Sequence, residues 1–289
     1  MTRAFLPLLA CAVLLALPAT DSQSILHAAR SSPGDLEVGG ELAGVPAGAA
    51  RYIRYEDLLR LPQQTYTVND DSNLSAHTQI TGIPLEALAQ LLHQPATDLF
   101  MVAVCDDQYH ANYPPAYVAA HHPLLVLRID GKPRDQWPQG RDGSALGPYL
   151  ISHPFFKPSF KVLSHEDEPQ VPYGVVRLEF HRESTVYGAI RPVGTWPAGS
   201  SVEQGFVIAR QDCFRCHNSG DEGGTKAGRS WLQLALRAQQ NPELFRRTIH
   251  DPRAVDPKAA MPAHKDYDDA TLDALTAYFK TFAAPGGIR

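Results

Sequence analysis

The sequence predicts two dissimilar halves, an α+β domain with a mixed sheet and long loops followed by an all-α domain. Three observations carry that expectation. Between residues 51 and 183, β-prone runs alternate with Pro-rich loops and short helical stretches. From Val202 onward, each periodic segment has helical spacing. Between the two, residues 184–201 (STVYGAIRPVGTWPAGSS) are rich in Gly, Pro and Ser and read as a linker.

The chain opens MTRAFLPLLACAVLLALPATDSQS. Arg3 supplies a positive start, and Ala4 to Leu17 form an apolar run broken only by Pro7. That is the layout of a secretory signal peptide over residues 1–19, cut after Ala19. The run falls short of the roughly 20 apolar residues a membrane span needs, and it continues past Cys11, where a lipid-bearing cysteine would end it. The expectation is an exported, periplasmic protein with no transmembrane segment in the mature chain. Cys105, Cys213 and Cys216 lie beyond the signal segment, too few for a disulfide framework. Residues 20–204 carry 13 basic and 21 acidic side chains, and residues 205–289 carry 12 and 10. An acidic body with a near-neutral tail argues against nucleic acid and against an anionic membrane surface.

Residues 20–50, rich in Ser, Gly, Ala and Pro, are expected to be a flexible lead-in. YIRYEDLLRLP then reads as a short strand and a helical turn closed by Pro62, and TYTVND alternates as a strand does. TGIPLEALAQLLHQP is a helix with Pro84 near its start, Leu85, Leu88, Leu91 and Leu92 along one side, and Pro95 as its stop. LFMVAVC is continuously apolar and β-prone, as in a buried strand. LLVLRIDGKP is a strand entering a turn at Asp130-Gly131, and GVVRLEFH is another strand. The second half reads as helices in VEQGFVIARQ, SWLQLALRAQQ, PELFRRTIH and DATLDALTAYFKTFA.

The segment CFRCH, residues 213–217, decides the chemistry. Cys-x-x-Cys-His is the signature of covalent c-type haem attachment: Cys213 and Cys216 can each bond one vinyl carbon, and His217 is brought under the iron as an axial ligand. A zinc site would want a second ligand pair at knuckle spacing, which does not follow. A thioredoxin-like dithiol would sit in a βαβ unit, and a disulfide within Cys-x-x-Cys would leave His217 unexplained. One covalent haem c per chain is the expectation. Met261, followed by proline and 44 positions after His217, is the expected second axial ligand. His264 and His250 are its competitors.

Over residues 202–285 this tail resembles the small monohaem class I cytochromes c. The resemblance implies a helix pair packed through Gly205, Phe206 and Tyr278, and a Gly-rich loop (NSGDEGGTKAGRSW) whose backbone passes close to the porphyrin. Many relatives place Gly-Pro where this chain has Gly228-Arg229. The carbonyl that orients the proximal imidazole is still present, without proline's stiffness.

Over residues 51–183 the succession YEDLLRLPQQTYTV, TGIPLEALAQLL, LFMVAVCDDQYHANYPP, LLVLRIDGKP and LGPYLIS is similar to the molybdopterin-binding oxidoreductase domain of the sulfite oxidase type. Catalytic members place a metal-ligating cysteine within a stretch corresponding here to NDDSNLSAH, residues 69–77, which contains none. Cys105 sits beside Asp106 and Asp107, whose charges disfavour a thiolate, and is expected to be a buried thiol. His77, His110, His121 and His122 lack the spacing of a metal site. Arg128, Lys132, Arg134 and Arg141 are the residues that could form a local basic patch for a pterin phosphate. The expected function is a periplasmic cytochrome that passes single electrons between redox partner proteins, with an N-terminal domain without cofactor that serves docking or ligand binding. The alternative is a haem-containing oxidoreductase in which that domain binds molybdopterin or a metal and oxidises a small molecule.

Overall fold

The structure, a computed structural model, describes residues 25–283 except 93 and 95–98. The expected signal segment, its cleavage point after Ala19 and Cys11 lie outside the described residues. In chain order the first half contains β1 (Leu36–Gly40), β2 (Arg51–Ile53), α1 (Tyr55–Leu58), β3 (Gln64–Val68), β4 (Thr78–Pro84), α2 (Leu85–Leu91), β5 (Leu99–Cys105), β6 (His110–Tyr113), α3 (Pro115–His121), β7 (Leu124–Ile129), β8 (Lys132–Pro133), β9 (Leu150–Ser152), β10 (Lys161–Val162), β11 (His165–Glu166) and β12 (Val175–Arg182). One sheet has the order β2-β1-β12-β5-β6. A second runs β3-β4-β7-β8 with β9 also on β7, and β10 and β11 form a separate hairpin. Pairing is antiparallel except between β1 and β12.

The continuous apolar run of β5 has a two-sided cause. Leu178 pairs with Ala103 and Phe180 with Met101, so these four share one face and enter the core between the two sheets with Leu36, Val38, Leu85, Leu88, Leu125 and Leu127. Phe100, Val102 and Val104 point to the opposite face and join a second core made mostly by the C-terminal helices. A strand buried on both faces needs apolar residues at every position, not at alternate ones.

Two expectations about boundaries do not hold. Residues 36–40, assigned to a loose lead-in, form β1, with Leu36 and Val38 fully buried and Ile25 and Leu42 in the same core. The expected linker begins as α4 (Glu183–Val186) and a 3-10 turn at Tyr187–Ile190, whose Val186, Tyr187 and Ile190 are buried against the C-terminal helices. Its glycines and prolines shape a packed corner between the halves.

The second half is helical: α5 (Ser201–Gln211), α6 (Trp231–Gln240), α7 (Pro242–His250), α8 (Pro252–Val255) and α9 (Asp269–Lys280). Short polar residues start them. Ser200 accepts from Glu203 N, Ser230 forms a capping box with Gln233, Asn241 accepts from Leu244 N ahead of Pro242, and Asp268 accepts from Thr271 N. The first and last of the long helices cross at Gly205, where a Cβ would lie 2.2 Å from the Ala274 carbonyl oxygen and 2.6 Å from Tyr278 Cβ. Phe206 packs beside that crossing, its ring centroid 5.9 Å from that of Tyr278. Gly205, Phe206 and Tyr278 thus meet as the class I resemblance implies. Among the described residues no helix is long and apolar enough to cross a membrane.

The crossing predicts its own failure. Gly205→Ala forces the α5 and α9 backbones apart and is expected to lower stability by about 1–3 kcal/mol. Urea unfolding followed by circular dichroism measures it, and an unchanged midpoint would contradict the close-crossing account.

Candidate functional site

Helix α5 ends at Gln211. Asp212 follows, and Cys213–Arg215 form a single 3-10 turn. The Cys216 and His217 amides both reach back to the Cys213 carbonyl, at 3.2 and 3.0 Å. That turn sets the two sulfurs and the imidazole on one short rigid segment. Cys105, Cys213 and Cys216 are all free thiols. Phe214, fully buried, anchors the segment from below against Trp231, with ring centroids 5.4 Å apart and edge to face.

His217 is buried, and its Nδ1 lies 2.8 Å from the Arg229 carbonyl oxygen. Burial also holds its pKa below the ordinary histidine value, so the ring is neutral. A neutral ring that donates from Nδ1 carries its free lone pair on Nε2, the tautomer an axial metal ligand requires. The Arg229 carbonyl therefore performs the orienting role despite the missing proline. The Gly-rich loop also makes a contact within the protein. A Cβ at Gly224 would stand 1.9 Å from the Arg215 carbonyl oxygen, and the Gly224 amide donates to the Phe214 carbonyl at 3.1 Å. The loop is small there because it packs on the CFRCH backbone itself.

Met261 lies in the irregular stretch between α8 and α9, half-buried against the same apolar cluster as Cys213. Of its competitors, His264 stacks on Tyr267, with centroids 4.7 Å apart and planes 25° apart, and its Nδ1 is 4.0 Å from Asp212 Oδ2. His250 sits half-buried at the end of α7. On α6, just beyond Arg229, Leu232 and Leu236 stand one turn apart and are 36% and 40% exposed.

Sequence reasoning missed the polar cluster at the seam between the halves. Asp212 accepts from Tyr267 Oη, whose oxygen is 2.8 Å from His165 Nδ1, and His165 Nε2 is bonded to the Gln211 amide. Arg215, its side chain only 12% exposed, reaches Asp212 at 3.3 Å and Glu168 at 3.6 Å. Among the described residues Glu168, Asp212 and His264 are the one trio with metal-ligand atoms within 4.8 Å of one another. The Arg215 guanidinium already supplies the cation between the two carboxylates, which disfavours an ion there. The signal for this cluster was an acid directly before CFRCH and an Arg inside it. Its partners lie about 45 to 55 positions away, beyond any local pattern.

In the first half the expected histidines are not gathered. His121 is buried with Nε2 3.1 Å from Asp167, His122 is exposed against Glu86 at 3.1 Å, His77 lies exposed in a loop, and His110 is on β6. The stretch 69–77 is pinned by its own acids and amides. Asp71 is buried and accepts from Ser152 Oγ, Asp70 accepts from the Phe156 amide at 2.8 Å, and Asn73 donates to the Val171 carbonyl at 2.7 Å. Of the four basic residues, Arg134 is committed elsewhere: it stacks 4.1 Å over the Tyr55 ring and donates to the Gly34 carbonyl at 2.5 Å. Cys105 is buried, and desolvation with Asp107 and Asp106 pushes its thiol up, against any thiolate role.

The comparisons support a cytochrome c domain within this half. Residues 200–279 match the family described as "Cytochrome C oxidase, cbb3-type, subunit III". No curated protein matches the chain. Among solved structures, the sulfane dehydrogenase SoxCD from Paracoccus pantotrophus is similar at 17% identity, covering 54% of this chain and 41% of that one, with a TM-score of 0.33. The chain thus spans about two fifths of that protein's chain, and a likeness of this size carries no argument about the first half.

One buried histidine gives a pH prediction. His153 accepts from Tyr117 Oη at 2.7 Å, and burial followed by the neighbouring His121 pushes its pKa down to about 3. In the unfolded chain the same ring titrates near 6.5. Between about pH 6.5 and 3 the unfolded state therefore binds a proton that the folded state refuses. Stability falls as pH is lowered through that window, by at most about 1.4 kcal/mol per pH unit from this group. Urea midpoints at pH 7 and pH 4.5 are expected to differ less in His153→Gln than in the unaltered protein; an equal difference would contradict the burial argument.

Proposed function

We propose that this chain is an exported electron carrier. In this reading Cys213 and Cys216 bind one haem c covalently, and His217 and Met261 are the axial ligands. The observation that carries it is the His217–Arg229 bond, which leaves Nε2 free directly after two thiols on a rigid turn. The residues fit the group in other respects too: Met261 and Cys213 pack on one cluster, and Leu232 and Leu236 offer apolar surface beside the Arg229 anchor for a macrocycle to cover. The bound haem would supply a one-electron couple, and methionine ligation raises its potential. The chain's own residues keep the site ready for that. The Arg229 carbonyl fixes the imidazole, and the apolar cluster excludes water, so little reorganises between oxidation states.

The N-terminal domain is read as a docking domain without cofactor, fitted to redox partner proteins of the periplasm. Supporting this, the stretch 69–77 spends Asp70, Asp71 and Asn73 on structural bonds, and Arg134 is committed to Gly34 and Tyr55. The same commitments weigh against the alternative of a molybdopterin enzyme. Elemental analysis separates the two, since stoichiometric molybdenum in purified protein would promote the enzyme.

Two outcomes test the haem reading. Denatured protein is expected to retain its haem through acid-acetone extraction, and the double variant Cys213→Ala with Cys216→Ala to lose it; freely extracted haem from the unaltered chain would end the covalent assignment. Oxidised protein is expected to show the weak sulfur-to-iron band near the red end of the visible spectrum, and Met261→Ala to abolish it. An oxidised protein without that band, in which Met261→Ala is spectrally silent while His264→Ala changes the haem spectrum, would transfer the ligand role to His264.

A further inference from the structure

The stretch from Asp256 to Asp268, which carries Met261, has neither helix nor strand, and its internal bonds are few. The Ala259 amide donates to Asp256, and that of Tyr267 to His264, at 2.9 and 3.1 Å, while the His264 amide donates to the Ile249 carbonyl at 3.2 Å. A loop with so few ties of its own opens at low cost. Within its own half it is also tied by Tyr267 to Asp212 and by Lys265 to Asp251 at 3.4 Å, and the other half of the chain adds a further restraint. The β10–β11 hairpin, with Leu163 and Ser164 at its tip, reaches over from the N-terminal domain and places Val162 against the cytochrome core.

Two residues of that hairpin grip the end of the loop. Ser164 meets Thr271 Oγ1 at 2.6 Å through its hydroxyl and at 3.1 Å through its amide, and the Asp268 amide donates back to Ser164 Oγ at 3.1 Å. His165, 1% exposed, uses both ring nitrogens: Nδ1 lies 2.8 Å from Tyr267 Oη and Nε2 bonds the Gln211 amide. Tyr267 Oη in turn donates to Asp212. The Gln211 side-chain oxygen faces Nε2 and the Tyr267 hydroxyl faces Nδ1, so one ring spans both segments. One histidine from the N-terminal domain therefore joins the segment just before Cys213 to the segment just after Met261.

We propose that the β10–β11 hairpin is the positioning element for the distal ligand, His165 and Ser164 holding the Met261 loop in register with the proximal segment. The proposal rests on the reading of Met261 as axial ligand. It gives the N-terminal domain a role in setting the haem's coordination, since any displacement of the hairpin loosens the methionine.

Imidazole binding to the full-length, haem-loaded, oxidised protein tests it, because imidazole must displace the methionine sulfur and the loss of the red-end band reports that directly. His165→Ala and Ser164→Ala are each expected to tighten imidazole binding about three- to tenfold, the equivalent of one net hydrogen bond no longer holding the loop closed. Tyr55→Phe, which removes a bond to the Leu127 carbonyl in the same domain and none to the hairpin or its neighbours, is the control for general loosening and is expected to bind imidazole as the unaltered protein does. Unchanged affinity in both hairpin variants, or equal tightening in Tyr55→Phe, overturns the proposal. Should His165→Ala fail to fold, Ser164→Ala decides alone, since that side chain lies in a half-buried turn. A sulfur-to-iron band that survives in Met261→Ala brings down the ligand reading itself, whereas a band that depends on Met261 with indifferent hairpin variants brings down only the positioning role.

Discussion

The site depends on the bond from His217 to the Arg229 carbonyl. It closes a loop of twelve positions with one hydrogen bond, and in doing so it chooses the imidazole tautomer. Everything around it keeps those two atoms in place. Phe214 and Trp231 pack edge to face beneath the turn, Gly224 lets the loop lie on the Arg215 carbonyl, and the Trp231 amide donates to Asn218 at 2.7 Å where α6 begins. Trp231 continues the chain of contacts through its indole N–H, 3.2 Å from Tyr278 Oη, into the Gly205 crossing. The packing of the terminal helices and the orientation of the imidazole are thus one connected arrangement, and a fault at either end reaches the other.

The second constraint is that the two halves share a core. Phe100, Val102 and Val104 are buried among residues of the helical half, so separating the halves would expose apolar side chains of β5. Polar bonds sharpen this contact. Lys226 pairs with Asp107, Thr225 donates from its amide to the Gln108 carbonyl at 3.1 Å, and the Val193 amide donates to Thr281 at 3.2 Å. Under the proposed reading, a partner that docked on the first half would press on residues that share a core with Cys213 and Met261.

Legibility in the sequence followed distance along the chain. CFRCH could be read because its chemistry is packed into five letters, and Gly205, Phe206 and Tyr278 because the resemblance to class I cytochromes c implies a helix crossing there. The continuous apolar run of β5 announced burial but not what buried it. LEVGG at 36–40 was too short and too glycine-rich to read as a strand; it becomes one through parallel pairing with residues 177–180, nearly half the chain away. The two-residue strands of the β10–β11 hairpin carry no period at all, so His165 and Ser164 were indistinguishable from loop residues. Tyr187 and Ile190 sat among glycines and prolines that outweighed them, although a tyrosine and an isoleucine in a supposed linker were the available sign of burial.

The most direct test of the central claim is a spectroelectrochemical titration of the purified full-length protein, read at the haem's visible bands in both directions. The account predicts a single reversible one-electron transition between two six-coordinate, low-spin states, with carbon monoxide binding slowly to the reduced form because a protein sulfur holds the sixth position. A reduced form that is five-coordinate, high-spin and quick to bind carbon monoxide would contradict it, for such a site is built to bind a ligand and not to pass an electron on.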